Sequence, residues 1–498
     1  MAAPGVYVPA VRLSSPQGRW LLLATVLGSG LAMLDATVVN VALGRIGTEF
    51  DAGFAGLQWT LNGYALTLAS FILVGGSLGD RLGRRRIFII GTVWFAVASL
   101  LCGIAPNVET LVAARALQGV GGALLTPGSL AIISASLHPD DRARAIGAWS
   151  GLGGIAAAIG PFVGGYLIDV WSWRLVFLIN LPLAVLVVVV ALKYVPETAD
   201  PQASPDLDIP GAVLGAAGLA GLTYALIAGG EDGWSAVTVV TGAAGVACLV
   251  AFILVERRSA HPLVPLDLFS SLQFTAANIV TFAVYGAIGG LFFLLVLDLQ
   301  VVAGFSPLVA GSALLPLTVL MLLLSSRAGA IAQRIGPRLP MTLGPLICAA
   351  GVLLMLRIGP DASYLFDVLP AVTVFGLGLS ATVAPLTATV LASAEDRHAG
   401  VASGVNNAVA RAAGLLAVAV LPAVAGLSGA DYQSPEAFES GFTTVLWVCT
   451  GLLVIGGVIS ALTIDRRLQP AAPEQRTHCA LAAPPLHSDT RVGSGGPS

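Results

Sequence analysis

Two opposite charges stand inside stretches of sequence otherwise fit for hydrocarbon. Asp35 lies in the apolar run Trp20 to Leu43, and Arg115 lies near the start of another, residues 109–135. A carboxylate at membrane depth is expensive to keep ionised, so it marks an ion or substrate pathway. It also has the balance a proton carrier needs: a nearby cation favours the charged form, and burial favours the neutral acid. Asp35 lies about eight residues, roughly 12 Å, below the end of its run, and Arg115 about six residues, roughly 9 Å, below the same surface. Charges at matching depth meet if their two helices face one cavity. The residues alone leave a structural ion pair open beside a transport role.

Two further ionisable groups stand in apolar runs. Asp298 falls near the outer end of the ninth run, where it is an interfacial acid or a second carrier. Arg411 falls deeper, in the thirteenth, beside Asn406 and Asn407, where it lines a cavity or ties helices together. Asn40, Gln58, Asn62 and Asn406 are the polar candidates for a cavity wall, with Tyr64, Asn180, Asn278 and Tyr285 also within or near spans. Periodicity does not say which of them face inward.

The elements that must position these groups are membrane helices. The chain has 498 residues, 56% hydrophobic and 10% charged, with mean hydropathy +0.89. Soluble chains carry about 25% charged residues. Runs of about 20 apolar residues, each long enough to span a bilayer, recur from end to end. Fourteen are expected, at 20–43, 57–79, 87–105, 109–135, 144–168, 174–195, 209–230, 235–255, 273–299, 306–328, 339–358, 365–391, 400–427 and 442–464. The first is too long, and too far behind a polar stretch, for a cleaved leader, and is read as a retained helix. Net charge is −3, which gives no reason to expect a nucleic-acid partner. Cys102, Cys248, Cys348, Cys449 and Cys479 have no ligand or redox spacing, and the five histidines fall in loops or the tail, so no metal site is expected.

Basic residues set orientation. With the N-terminus inside, Arg81, Arg84, Arg85, Arg86, Arg142, Arg144, Lys193, Arg257, Arg258, Arg334, Arg338, Arg397 and Arg467 lie in cytoplasmic segments, and the outer loops hold only Arg45, Arg174 and Arg357. Both termini are therefore expected in the cytoplasm. Lys193 is the only lysine, and the abundant Arg, Ala and Gly suit a GC-rich bacterial gene, hence a bacterial cell membrane. The expected organisation is a first bundle of six helices at 1–195, a linker and two extra helices at 196–271, a second bundle at 272–464, and a disordered tail at 465–498.

A loop motif occurs twice. Gly76-Ser-Leu-Gly-Asp80-Arg81-Leu-Gly83-Arg84-Arg85 follows the second run, and Gly329-Ala-Ile-Ala-Gln333-Arg334-Ile-Gly336-Pro-Arg338 follows the tenth. Two glycines and two arginines align without gaps. Repeated halves are characteristic of transporters.

The first copy resembles the cytoplasmic loop signature of the major facilitator superfamily. Leu34-Asp35-Ala-Thr37-Val-Val-Asn40-Val-Ala42-Leu43 resembles the helix 1 signature of its fourteen-helix drug:proton antiporters, and Arg115-Ala-Leu-Gln118-Gly119-Val-Gly-Gly122-Ala the helix 4 signature. Gly147 with Gly160-Pro161-Phe-Val-Gly164-Gly165 is similar to the helix 5 antiporter signature. The chain departs from the pattern at Gly44 (usually Pro), Ala156 (usually Gly) and Gln333 (Asp in the first copy). The resemblance covers about residues 15–465.

It implies an all-α integral membrane protein of two six-helix bundles plus two extra central helices, and proton-coupled efflux of lipophilic or cationic small molecules by alternating access. Asp35 would carry the proton with Arg115 beside it. Gly76, Asp80, Arg81, Gly83, Arg84 and Arg85 would form a latch between halves; Gly160, Pro161, Gly164 and Gly165 a seal or pivot. The partners implied are a small molecule, protons and the bilayer, with no cofactor beyond the proton gradient. A dedicated exporter of one endogenous metabolite, such as an antibiotic, fits equally well. The helix 5 pattern argues against an importer. A membrane-embedded enzyme is disfavoured because no nucleophile–base set or metal cluster is visible, and ATP-driven transport because no phosphate loop is.

Overall fold

The computed structural model describes residues 11–200, 208–259, 262–393 and 399–466. Fourteen helices among them are long and apolar enough to cross a membrane: α1 (Pro16–Phe50), α2 (Phe54–Leu82), α3 (Arg84–Gly103), α4 (Val108–Ser136), α5 (Pro139–Val170), α6 (Leu175–Tyr194), α7 (Ile209–Glu231), α8 (Ala236–Glu256), α9 (Leu272–Val301), α10 (Pro307–Ile335), α11 (Arg338–Arg357), α12 (Tyr364–Ala392), α13 (Val401–Val424) and α14 (Pro435–Thr463). Each hydropathy run holds one helix. Large apolar side chains such as Val97, Val189, Leu192, Val240, Ile455 and Leu462 point outward, the surface a lipid solvent requires. Of the positions read from sequence, Arg397, Arg467, most of the tail at 465–498 and residues 201–207 of the linker lie outside the described residues.

Helix ends differ from the hydropathy limits where polar turns extend an apolar core. Ser15 caps α1, its Oγ accepting from Gly18 N at 3.1 Å, and Pro16 occupies the first turn, where a missing N–H costs nothing. The helix runs past Leu43 to Phe50 and ends at Asp51 in the left-handed region. Asp35 is therefore nearer the middle of its helix than hydropathy placed it. Asn107 and Thr110 form a reciprocal capping box that starts α4. Two helices are broken near prolines. α6 interrupts at Ile179, three residues before Pro182, and α10 between Ser312 and Leu315, next to Pro316.

The contact pattern repeats. In the first bundle α4 packs on α2 and α3, and α1 on α5 and α6; in the second α12 packs on α10 and α11, and α9 on α13 and α14. The bundles meet where α5 packs on α10 and α2 on α13. α7 lies over the α2–α13 seam and pairs with α8, the least buried of the fourteen. The basic loop between α2 and α3 and its counterpart between α10 and α11 lie on one face of the molecule, hereafter the basic face.

The two loops are built alike. Gly83 and Gly336 both have positive φ, 109° and 90°, which favours glycine. Neither has room for a side chain. A Cβ on Gly83 would lie 2.7 Å from the Glu197 carboxylate, and one on Gly336 would overlap the Arg466 carbonyl. In each bundle the chain leaving the sixth helix covers the loop glycine.

At the opposite face the bundles are joined. Phe54 of α2 packs its ring against Phe293 of α9 at 5.6 Å and against Tyr432 and Phe438 at 6.4 Å. Tyr432 Oη donates to Ala52 O at 2.8 Å, and Gln300 Nε2 to Val41 O at 3.2 Å. Gly44, in place of proline, leaves space for Gln300, whose Oε1 would be 3.1 Å from a Cβ there.

Candidate functional site

Asp35 and Arg115 meet. Arg115 Nη1 donates to Asp35 Oδ2 at 2.5 Å, with 1% and 0% of the two side chains exposed. The pair is held by a polar cage that spans α1, α2, α3, α4 and α6. Gln118, one turn below Arg115 on the same face of α4, donates from Nε2 to Asp35 Oδ1 at 2.9 Å and accepts from Arg115 Nη1 at 2.6 Å. Asn180 Nδ2 reaches Asp35 Oδ1 at 3.3 Å and Ser99 Oγ at 2.9 Å. Ser99 Oγ in turn donates to Phe177 O at 3.0 Å. Arg115 Nε donates to Thr60 O at 3.1 Å, and its guanidinium carbon lies 4.4 Å from the centre of the Tyr64 ring.

Local breaks explain how so many donors converge. Asn180 stands just after the interruption of α6 at Ile179, which turns its amide toward α1 and α3. A buried carboxylate is tolerated only when paired and hydrogen-bonded, and Asp35 has one cation and two amides. The ion pair and the amide bonds together clamp α1 to α4.

Sequence reasoning placed the pair but missed much of the cage. Gln118 appeared only as part of the helix 4 motif, although its spacing of three from Arg115 was a usable signal. Ser99 and Thr60 gave none. Ser and Thr bond to helix backbone throughout membrane helices, and Thr60 contributes through its carbonyl.

The other candidates separate. Asp298 is fully buried near the end of α9 at the joined face, and among the described residues neither of its carboxyl oxygens has a partner. Arg411 stands in α13 within electrostatic range of Tyr285 and of Tyr64, the ring on which Arg115 also lies. Gln58 and Asn406 are struts between helices. Gln58 Nε2 donates to Val418 O at 2.7 Å, and Asn406 Nδ2 to Thr281 Oγ1 at 2.7 Å and Asn278 Oδ1 at 3.2 Å. Asn40 Nδ2 returns to Ala36 O of its own helix at 3.4 Å. Asn62 is buried with neither amide atom partnered.

The helix 5 glycines lie in two contacts. A Cβ on Gly160 would overlap Thr37 Oγ1, and one on Gly164 would overlap Val38, both on α1 within a turn of Asp35. Gly165 faces α10, where a Cβ would be 2.6 Å from Leu308 Cα, and Pro161 O lies against Gly311. Ala156, where the signature has glycine, meets Gly30, and the lost space is regained on α1.

In the basic loop, Arg84 pairs with Asp80 through Nη2 at 2.7 Å. Arg85 reaches Glu197 at 3.6 Å and Val195 O at 3.1 Å, and Arg84 N donates to Thr198 O at 2.8 Å. These bonds fasten the loop to the strand of chain leaving α6. Gly76 packs α2 on Pro127 of α4.

The chain matches the family model described as Major Facilitator Superfamily twice, over residues 25–208 and 209–418. It is 36% identical over 406 residues to multidrug resistance protein Stp of Mycobacterium tuberculosis, covering 81% of this chain and 75% of that one. It is 37% identical over 415 residues to the probable actinorhodin transporter of Streptomyces coelicolor, covering 81% and 72%. A crystal structure of the peptide transporter POT in complex with sulfate shares the fold at TM-score 0.68 and 17% identity, over 93% of this chain and 99% of that one. These likenesses make the protein a multi-pass membrane transporter and not an enzyme. The chain belongs to the major facilitator superfamily.

Proposed function

We propose that this transporter exports lipophilic or cationic small molecules from the cytoplasm across a bacterial cytoplasmic membrane, driven by protons moving inward, with Asp35 as the proton carrier. The basic face, and with it both termini, lies in the cytoplasm, as the arginine distribution supports. The halves 1–195 and 272–464 rock about the α5–α10 and α2–α13 contacts, and the segment 196–271 carries the extra pair. In this conformation they are joined at the outer face.

The carrying observation is the Asp35–Arg115 pair, fully buried and caged at membrane depth. The ion pair fixes α1 on α4, and Gly160 and Gly164 seat α5 against the same stretch of α1. A proton on Asp35 therefore alters the helix that α5 leans on, and α5 meets the other half at α10. That is a physical route from protonation to the seam. The basic loop supports cycling from outside the bilayer.

A second reading, a dedicated exporter of one endogenous metabolite such as an antibiotic, is favoured by the likeness to the probable actinorhodin transporter. The test of export is dye efflux in everted vesicles with an imposed pH gradient and a broad substrate panel. Uphill movement that persists after the gradient is collapsed would rule out proton coupling. Transport of one compound out of the panel would select the second reading.

A further inference from the structure

Arg411 is a mid-span cation to which no described residue supplies a counter-charge. Among the described residues it enters no ion pair and donates no hydrogen bond, and its buried Nε is unpartnered. The residue as a whole is only partly buried. An unpaired arginine at this depth is costly, and a structural strut would recover that cost through bonds to neighbouring carbonyls. Arg411 has none.

The surroundings are polar and unsatisfied. Gln58 of α2 bonds to Val418 of α13 at the outer end of the seam. From that bond, Asn62 lies about 6 Å further along α2 and Arg411 about 10 Å further along antiparallel α13, each on the face turned to the partner helix. Both amide atoms of Asn62 and the hydroxyl of Tyr64 are buried without partners. Tyr64 and Tyr285 are the electrostatic neighbours of Arg411, one from each half.

The charge balance of the seam follows. Asp35 is matched by Arg115. Asp298 lies 13 residues beyond Tyr285 on α9, about 20 Å along the axis. Even if ionised, its pull on Arg411 would be about five-fold weaker than that of a charge in contact, since the energy falls as the inverse of distance. Among the described residues of the seam one positive charge is left over.

We infer that Arg411 is the counter-charge for an anionic group, a carboxylate or phenolate, on the cargo, with Asn62 and Tyr64 as the adjoining polar contacts. This rests on the exporter reading and narrows it. The site then selects lipophilic anions and disfavours the cationic compounds that the family resemblance also implied.

Two xanthene dyes of similar size and opposite charge, 5-carboxyfluorescein and rhodamine 123, serve as probes. Their binding to the purified full chain is measured by fluorescence anisotropy at neutral pH with no gradient. The wild type is expected to bind the anionic dye at least about ten-fold more tightly, in the range of hydrogen bonds to a charged group. Arg411→Gln should lose that preference, Arg411→Lys should retain most of it, and binding of the cationic dye should be unchanged or stronger in Arg411→Gln. Tighter binding of rhodamine 123 by the wild type, binding of neither dye, or an unaltered anion affinity in Arg411→Gln each overturns the inference. If Arg411→Gln does not fold, the wild-type preference and Arg411→Lys still decide it. Because binding is read without a gradient, charge-selective binding with no gradient-driven export would sink the exporter reading and leave this one standing. Gradient-driven export of rhodamine 123 with no anion binding would do the reverse.

Discussion

Gly164 of α5 lies against Val38 of α1 with no room for a methyl group between them. The obstructing atom is the Val38 Cγ2 methyl, the end of a side chain. At Gly165 the obstruction is backbone, Leu308 Cα and Pro307 O, both 2.6 Å from a Cβ. The two neighbouring glycines therefore differ in what could relieve a substitution.

Gly164→Ala is expected to lower thermal stability by about 1–3 kcal/mol, the cost of overpacking, and to slow export. Gly164→Ala with Val38→Ala should recover most of the stability. Gly165→Ala should cost as much, and neither Val38→Ala nor Leu308→Ala should rescue it. Rescue of Gly165→Ala by a side-chain truncation would show that α5 and α10 do not touch through their backbones.

Asp35→Asn keeps size and polarity but cannot titrate. The variant should insert in the membrane and lose export driven by a pH gradient. Wild-type uphill export by Asp35→Asn in everted vesicles would make Asp35 structural, and Asp298 would be the next carboxyl to replace.

Arg115→Ala leaves a buried carboxylate without its cation, a loss of about 3–5 kcal/mol. Asp35→Asn combined with Arg115→Ala removes both charges and should be more stable than Arg115→Ala alone. Additive losses in thermal unfolding of the purified variants would mean that the two residues are not coupled.

Glu197 closes the loop between α2 and α3, binding Arg85 at 3.6 Å and lying over Gly83. Partly exposed ion pairs are worth about 0–1 kcal/mol, so Glu197→Ala should change stability little. Gly83→Ala places a side chain at positive φ and against that carboxylate, and should be clearly worse. Alanine at both Arg84 and Arg85 should reduce transport rate with nearly unchanged cargo affinity. A large affinity loss there would point to direct cargo contact.

Orientation is open to labelling. Single cysteines at Ser434 and Arg258, exposed on opposite faces of the fold, should react with an impermeant reagent in intact cells and only in inverted vesicles, respectively. Labelling of both in intact cells would reverse the inside-positive reading.

The number of helices, their alternation and the repeated loop were legible in the sequence, because lipid admits few alternatives. A backbone in hydrocarbon must satisfy its own hydrogen bonds, so each long apolar run becomes a helix, and arginines beside them report sidedness. Asp35 and Arg115 were legible for the same reason, as charges that hydrocarbon does not accept without cause. Helix ends were less so. Polar caps such as Ser15 and Asn107 carry helices beyond their apolar cores, and hydropathy does not register capping. What lay outside the sequence was which polar groups share a partner. Ser99, Thr60 and Asn180 join the Asp35 cage from three different helices, while Gln58 and Asn406, no different in kind, tie helices together elsewhere. Among the described residues Arg115 found a carboxylate and Arg411 did not. Local pattern gives a residue's depth along its helix, but the rotation of one helix against another is set by packing over the whole bundle, and only that rotation decides which charge meets which.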